Sequence, residues 1–278
     1  MELKGKIAVV TGGGAGIGEG ISSRLAEAGA DIAIVDINQA RAEEVADKIE
    51  KSGRKSVGII ADATDSKQIQ QAVRKVLDTF IKIDILVNNV GGEVRFHKER
   101  TGERFIETSE QEWNEMIDLN LEAAIKTCQA VAPYMIKQNS GKIVNIASTG
   151  GRSPIWTGER MSPAVLMAYG ISKAGIIQFT GLLALELAEH NINVNCVAPH
   201  GVWTPMYEKN ALRGIAANPQ YKGMTPREYY EKVIVAGLPL KREITPGDIG
   251  DAVVFFVSEK ARNITGQSIN VDAGAQPR

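Results

Sequence analysis

The apolar positions of this chain fall into two alternating kinds of segment. Ile7–Val10, Asp31–Asp36, Val57–Ala61, Ile83–Val87 and Lys142–Ala147 are short continuous runs rich in Ile, Val and Ala, with no regular apolar–polar alternation. A strand wetted on one face alternates, whereas one covered on both faces is apolar throughout, so these runs predict a parallel sheet between helical layers. Between them the apolar residues recur at helical spacing. Ile17–Ala28 stops before Gly29 and Gln39–Ser52 before Gly53, each glycine standing where a left-handed residue ends a helix. Asp65 is placed to cap a helix reaching Phe80. Further helices are expected around Trp113–Lys137 and Ala168–His190, then a strand at Asn193–Val197. Thr245-Pro246 opens another helix, the threonine as cap and the proline at the first helical position. No linker, repeat or composition break interrupts the βαβ alternation. The fold class is therefore α/β, one doubly wound parallel sheet with helices on both faces, in a single domain over residues 1–278.

Two segments depart from this rhythm. Residues about 92–108 and 150–163 are polar and longer than the ~2–6 residues that join strand to helix in such folds, which marks them as functional insertions.

Composition narrows the function classes. A chain of 278 residues, 44% hydrophobic and 23% charged, with net charge −1, is ordinary for a soluble globular protein and carries no electrostatic footprint for nucleic acid or an acidic membrane. Apolar runs of at most about eight residues fall short of a membrane span, and Met1–Lys6 leads into a strand without a signal-peptide core, so a cytoplasmic protein is expected. Cys128 and Cys196 form no CxxC pair, and His97, His190 and His200 have no ligand spacing, so neither disulfide nor metal is expected.

The first strand runs into Thr11-Gly12-Gly13-Gly14-Ala15-Gly16-Ile17-Gly18, which opens a helix. Glycines there let the backbone approach a pyrophosphate held at the helix N-terminus. The spacing is TGxxxGxG, not GxGxxG, and its place in the first strand–helix turn is what points to a dinucleotide. Asp36 ends the second strand, 20 residues after Gly16, where a carboxylate accepts from ribose hydroxyls and repels a 2′-phosphate. With no cation at Ala15 or Ile37, NAD is favoured over NADP, although Arg41 stands one helical turn on.

Tyr169 and Lys173 lie four apart, on one helical face. A phenol with an ordinary pKa near 10 is a poor acid–base group at neutral pH, and a neighbouring ammonium pulls it toward the working range. The same spacing also arises as a plain surface pair. Its surroundings decide. Thr11-Gly12-xxx-Gly16-x-Gly18, Asp62, Asn88-Asn89-Val90-Gly91, Asn120, Ser148, Tyr169-xxx-Lys173 and Asn195-xxx-Pro199, in this order from about Lys4 to Gly274, together resemble the short-chain dehydrogenase/reductase family.

The resemblance implies a Rossmann fold and reversible hydride transfer between a nicotinamide and an alcohol or ketone carbon. It implies Tyr169 as general acid/base and Lys173 as its electrostatic partner, also reaching the nicotinamide ribose. Ser148 would polarise the substrate oxygen, and Asn120 would fix a helix kink and a water linking Lys173 to solvent. Gly12, Gly16, Ile17 and Gly18 would hold the pyrophosphate and Asp36 the adenosine ribose; Asp62 and Ala63 would hold the adenine. Asn89 to Gly91 would line the adenosine side, and Val202 and Thr204 would anchor the carboxamide. A substrate-capping segment at about 201–245, holding Trp203, Met206, Tyr207, Tyr221, Met224 and Tyr229, suits an apolar, cyclic alcohol or ketone. The closing strand implies a homotetramer.

Three features depart from the family pattern. Ser148 and Tyr169 lie 21 apart, several more than usual, so Ser148 keeps its role if the extra loop bulges outward; Thr149 is the fallback. Val90 replaces an alanine, and His200 follows Pro199 where glycine is normal, either touching substrate or filling space. Arg95, His97, Lys98, Arg100, Arg104, Arg152 and Arg160 raise an acidic or CoA-linked substrate as an option, though Glu93, Glu99, Glu103 and Glu107 balance the first loop. The rival from another class is a non-catalytic NAD(H)-sensing module on the same fold. A serine hydrolase is disfavoured, since Gly170-Ile-Ser172-Lys173-Ala174-Gly175 lacks the GxSxG elbow.

Overall fold

The computed structural model describes residues 1–92, 105–153 and 163–276. Seven parallel strands form one sheet in the order β3-β2-β1-β4-β5-β6-β7: β1 Ile7–Thr11, β2 Asp31–Asp36, β3 Ser56–Ile60, β4 Ile85–Asn88, β5 Gly141–Ile146, β6 Ile192–Pro199 and β7 Ser268–Val271. The continuous apolar runs are explained by the two cores. Ala8, Val10, Ile32 and Ile34 face α1 (Gly16–Glu27), α2 (Gln39–Lys51) and α9 (Pro246–Val257). The alternate residues Ile7, Val9, Ala33 and Val35 face α3 (Ser66–Phe80), α5 (Ala123–Gln138) and the end of α6 (Pro163–Leu187). The inner strands thus bury both faces, while the edge strands β3 and β7 are only partly covered.

Caps fall where the chain signals them. Asp65 accepts from the Lys67 and Gln68 N–H groups, and Thr245 with Asp248 closes a reciprocal capping box. Differences from expectation have local causes. The helix expected over 113–137 is α4 (Glu110–Ile117), one π turn (Asp118–Glu122) and α5. The Asn120 side-chain amide donates to the Met116 carbonyl at 3.1 Å, occupying the acceptor that the regular i−4 backbone bond would use. Helix α6 starts at Pro163, five residues before the expected Ala168, with proline again tolerated in a first turn. By length and composition, Met167–His190 is apolar enough to cross a membrane, which counting unbroken apolar runs did not show. Of the two polar insertions, 93–104 and 154–162 lie outside the described residues, and with them Arg95, His97, Lys98, Arg100, Arg104 and Arg160. The capping segment is helical, with α7 Pro205–Ala217 and the short α8 Pro226–Tyr229.

Strand order reverses between β1 and β4. The crevice at their carboxyl ends is where open α/β sheets bind ligands, and the motifs converge there.

Candidate active site

Tyr169 and Lys173 stand one turn apart on α6, with the Lys173 Nζ 5.8 Å from the centre of the Tyr169 ring. Lys173 is buried, only 3% exposed, and its ammonium donates to the Ile146 carbonyl at the end of β5 at 3.0 Å. Burial pulls its pKa down to about 8, with the nearby Cys196 thiol opposing. Asn120 closes the site from the π turn: its Oδ1 accepts from the Gly92 N–H at 2.8 Å and its Nδ2 donates to the Gly92 carbonyl at 2.9 Å. A side chain at Gly91 would meet both groups, its Cβ 2.7 Å from Asn120 Oδ1 and 2.8 Å from Lys173 Nζ, so the glycine is what lets β4 reach the lysine. Ser148 is half-buried after β5, where its Oγ accepts from the Gly150 N–H at 3.2 Å.

The glycine loop has the expected shape. Gly12 and Gly16 have φ of +62° and +56°, a region that disfavours side chains, and a Cβ at Gly18 would lie 2.0 Å from the Gly12 carbonyl oxygen. Ala15, the residue before helix α1, offers it no side-chain cap, leaving first-turn N–H groups such as that of Ile17 for a ligand. Asn89 ties this loop to β4, its amide donating to the carbonyls of Thr11 (3.2 Å) and Gly12 (3.0 Å). Asp36 Oδ2 accepts from the Gly14 N–H at 3.0 Å and Oδ1 from the Asn38 N–H at 2.9 Å; each oxygen retains capacity for a further donor. The Arg41 Cβ packs beside Gly14, at the rim of the same place. Asp62 precedes buried Ala63 beyond β3, and its Oδ1 is engaged by the Thr64 N–H and hydroxyl. Val202 and Thr204 are buried, and Thr204 faces the loop, its Cγ2 3.2 Å from a Cβ at Gly16. A cleft of about 390 Å³ opens between Ala15, Gly16, Glu19, Trp203, Thr204 and Pro205.

The short chain dehydrogenase family model matches residues 6–213. The chain belongs to that family. It is 35% identical to a 2,3-dihydro-2,3-dihydroxybenzoate dehydrogenase of Bacillus subtilis (strain 168), over 98% of this chain and 97% of that one. It is 32% identical to a 3-oxoacyl-(acyl-carrier-protein) reductase of Thermotoga maritima, covering 99% of both. The NAD+-bound structure of a xylitol dehydrogenase superposes with a TM-score of 0.83 at 28% identity, covering 98% of this chain and 99% of that one. As a short-chain dehydrogenase, the protein is an oxidoreductase on a Rossmann-type fold.

Within that family frame, four features were not foreseen from the sequence. Thr149, the fallback for Ser148, is buried at 1% exposure, and its hydroxyl is 2.9 Å from His200 Nδ1. Burial lowers the His200 pKa, while Asp272 opposes. Arg152 donates to the Ser268 carbonyl on β7, so this guanidinium is turned to the sheet edge. Trp203 packs 5.0 Å from Tyr230 between ring centres, and the Arg227 guanidinium lies 5.2 Å over the Trp203 ring. Arg227 is held there by a two-bonded pair with Glu243 at 2.6 and 2.9 Å. Each pairing joins residues far apart in sequence, and no spacing rule signals it.

Proposed function

We propose that this short-chain dehydrogenase uses NAD to interconvert a secondary alcohol and a ketone, with Tyr169 as general acid/base. The observation that carries the reading is the buried Lys173 ammonium beside the Tyr169 ring. A buried cation costs stability, and beside a phenol its charge favours the phenolate form that acid–base chemistry needs. In reduction Tyr169 gives its hydroxyl proton to the carbonyl oxygen, and in oxidation it takes that proton back. Lys173 favours the phenolate by its charge. Ser148 donates to the substrate oxygen as negative charge develops. Asn120, in the π turn beside Lys173, would hold the water that passes a proton from Lys173 to solvent.

The glycine cradle and uncapped α1 fit a nicotinamide dinucleotide. Such a cofactor supplies the hydride donor or acceptor. Gly12, Gly16, Ile17 and Gly18 would hold its pyrophosphate, Asp36 its adenosine ribose, and Asp62 with Ala63 its adenine. Asn89 to Gly91 would flank the adenosine side, and Val202 and Thr204 would hold the carboxamide. Lys173 would reach the nicotinamide ribose.

The aromatic cap and the ring-bearing substrate named for the Bacillus relative support a cyclic alcohol or ketone. Exposed Ile171 (51%), Leu182 (58%) and Leu185 (79%) on α6, with Ile269 on β7, support burial against further copies in a homotetramer. A panel of cyclic and linear secondary alcohols, assayed with NAD and with NADP by absorbance at 340 nm, tests the reading. Faster turnover with NAD is expected; a preference for NADP would overturn the Asp36 argument.

A further inference from the structure

We infer that His200 is a positioning residue: through the buried hydroxyl of Thr149 it fixes the turn that carries Ser148, and it does not touch substrate. The inference rests on the role assigned to Ser148 above. Beyond β5 the chain passes through Ser148 in an extended conformation and folds into a single 3₁₀ turn, Thr149–Gly151. Three of the points that hold that turn bear on Ser148. Gly151 lies against α6 so closely that a Cβ would stand 2.5 Å from the Lys173 carbonyl carbon. The Ser148 Oγ accepts from the Gly150 N–H within the turn. The third point is the Thr149–His200 bond.

Of these three, the last joins the turn to a side chain that follows β6. His200 follows β6, and its own N–H donates to the Val271 carbonyl at the end of β7. The ring is therefore anchored to the sheet, not to the cap. Asp272, the carboxylate acting on it among the described residues, is itself fixed by the Gly274 and Gln276 N–H groups. Where glycine normally stands, this chain has a ring whose Nδ1 is spent on Thr149. A glycine there would leave the Thr149 hydroxyl buried without that partner, and a buried hydroxyl in that state is costly enough to move a short turn. Ser148 is the residue before Thr149, so any such movement displaces the hydroxyl that must meet the substrate oxygen. Misplacement by about 1 Å lowers rates by up to about 100-fold.

The test uses the full chain, NADH and the ketone that corresponds to the alcohol turned over fastest in the panel above. His200→Ala should lower kcat by about 10- to 100-fold with the KM for NADH unchanged. His200→Asn, which offers Thr149 a partner of similar reach, should recover most of it. Thr149→Val should match His200→Ala, and the double variant should be no worse than either. In a Ser148→Ala background, His200→Ala should cost nothing further. With three histidines in the chain, the His200 ring nitrogens can be followed by NMR, and the Nδ1 signal should move on Thr149→Val whatever the activity. Wild-type kcat in His200→Ala beside an inactive Ser148→Ala would overturn the inference and leave the Ser148 reading standing. Full activity of Ser148→Ala, or no ketone turned over by the wild-type protein, would sink both. A raised ketone KM with intact kcat in His200→Ala would place the ring on substrate instead. Losses that add in the double variant, or an unmoved Nδ1 signal, would also contradict it.

Discussion

Replacing Lys173 with methionine should stabilise the ligand-free protein near neutral pH while removing its activity. The side chain is 3% exposed, and burial holds its pKa at about 8 against an ordinary 10.5. At ~1.4 kcal/mol per tenfold change in proton affinity, that gap disfavours the charged folded form by about 3 kcal/mol. Methionine has similar length and no charge, but it leaves the Ile146 carbonyl without its donor, which returns about 1–2 kcal/mol of the gain. The net expectation at pH 7 is a variant more stable by about 1–2 kcal/mol. The pH dependence gives a sharper signature. Between pH 8 and 10.5 the unfolded chain still binds the proton that the folded chain has lost, so wild-type stability rises with pH through that window. Methionine cannot titrate, so the variant's advantage should shrink and reverse by about pH 10. Urea unfolding followed by circular dichroism at pH 7, 8.5 and 10 measures the difference directly. A difference that stays constant from pH 7 to 10 would refute the claim that the fold desolvates this ammonium.

Asp36→Ala should raise the preference for NADP relative to NAD by about 10-fold or more, since the carboxylate that would repel a 2′-phosphate is gone; the ratio of kcat/KM values with the two cofactors reads it. Gly18→Ala should abolish NADH binding, measured by fluorescence titration, because the new methyl would stand 2.0 Å from the Gly12 carbonyl oxygen and force the loop open. Thr245→Ala removes the cap accepting from the Asp248 N–H and should cost about 1 kcal/mol, seen as a fall of roughly 2–4 °C in melting temperature with kcat unchanged.

The fold was legible because its signals are local and repeated. Continuous apolar strands, glycine stops and the Asp65 and Thr245 caps each act within a few residues, and the structure places them as read. A helix kink at Asn120 was implied by the resemblance; its form as a π turn was not legible from helical periodicity, since the Asn120 amide also bonds Gly92, 28 residues away. In the candidate site, the Gly12–Gly18 loop, Asp36, Asn120, Tyr169 and Lys173 were recognised from their order along the chain, and the crevice between β1 and β4 collects them. The burial of Lys173 was not readable from spacing: YxxxK suits a surface pair as well, and its burial comes from tertiary packing against the end of β5 and the Gly91 segment. His200 stood out as an odd residue after Pro199, yet its partner Thr149 is 51 positions away and no periodicity links them. Trp203 was read as a substrate contact from its place in the capping segment and its aromatic character; the structure adds that Arg227 and Tyr230 pack against its ring.

The central claim is that Tyr169 moves the proton, and Tyr169→Phe tests it most directly. Phenylalanine keeps the ring that lies beside Lys173 and removes only the hydroxyl. NADH oxidation with a saturating cyclic ketone should fall by about 100- to 10,000-fold in kcat while NADH binding stays within a factor of two or so of wild type. Turnover by the phenylalanine variant at the wild-type rate would contradict the account.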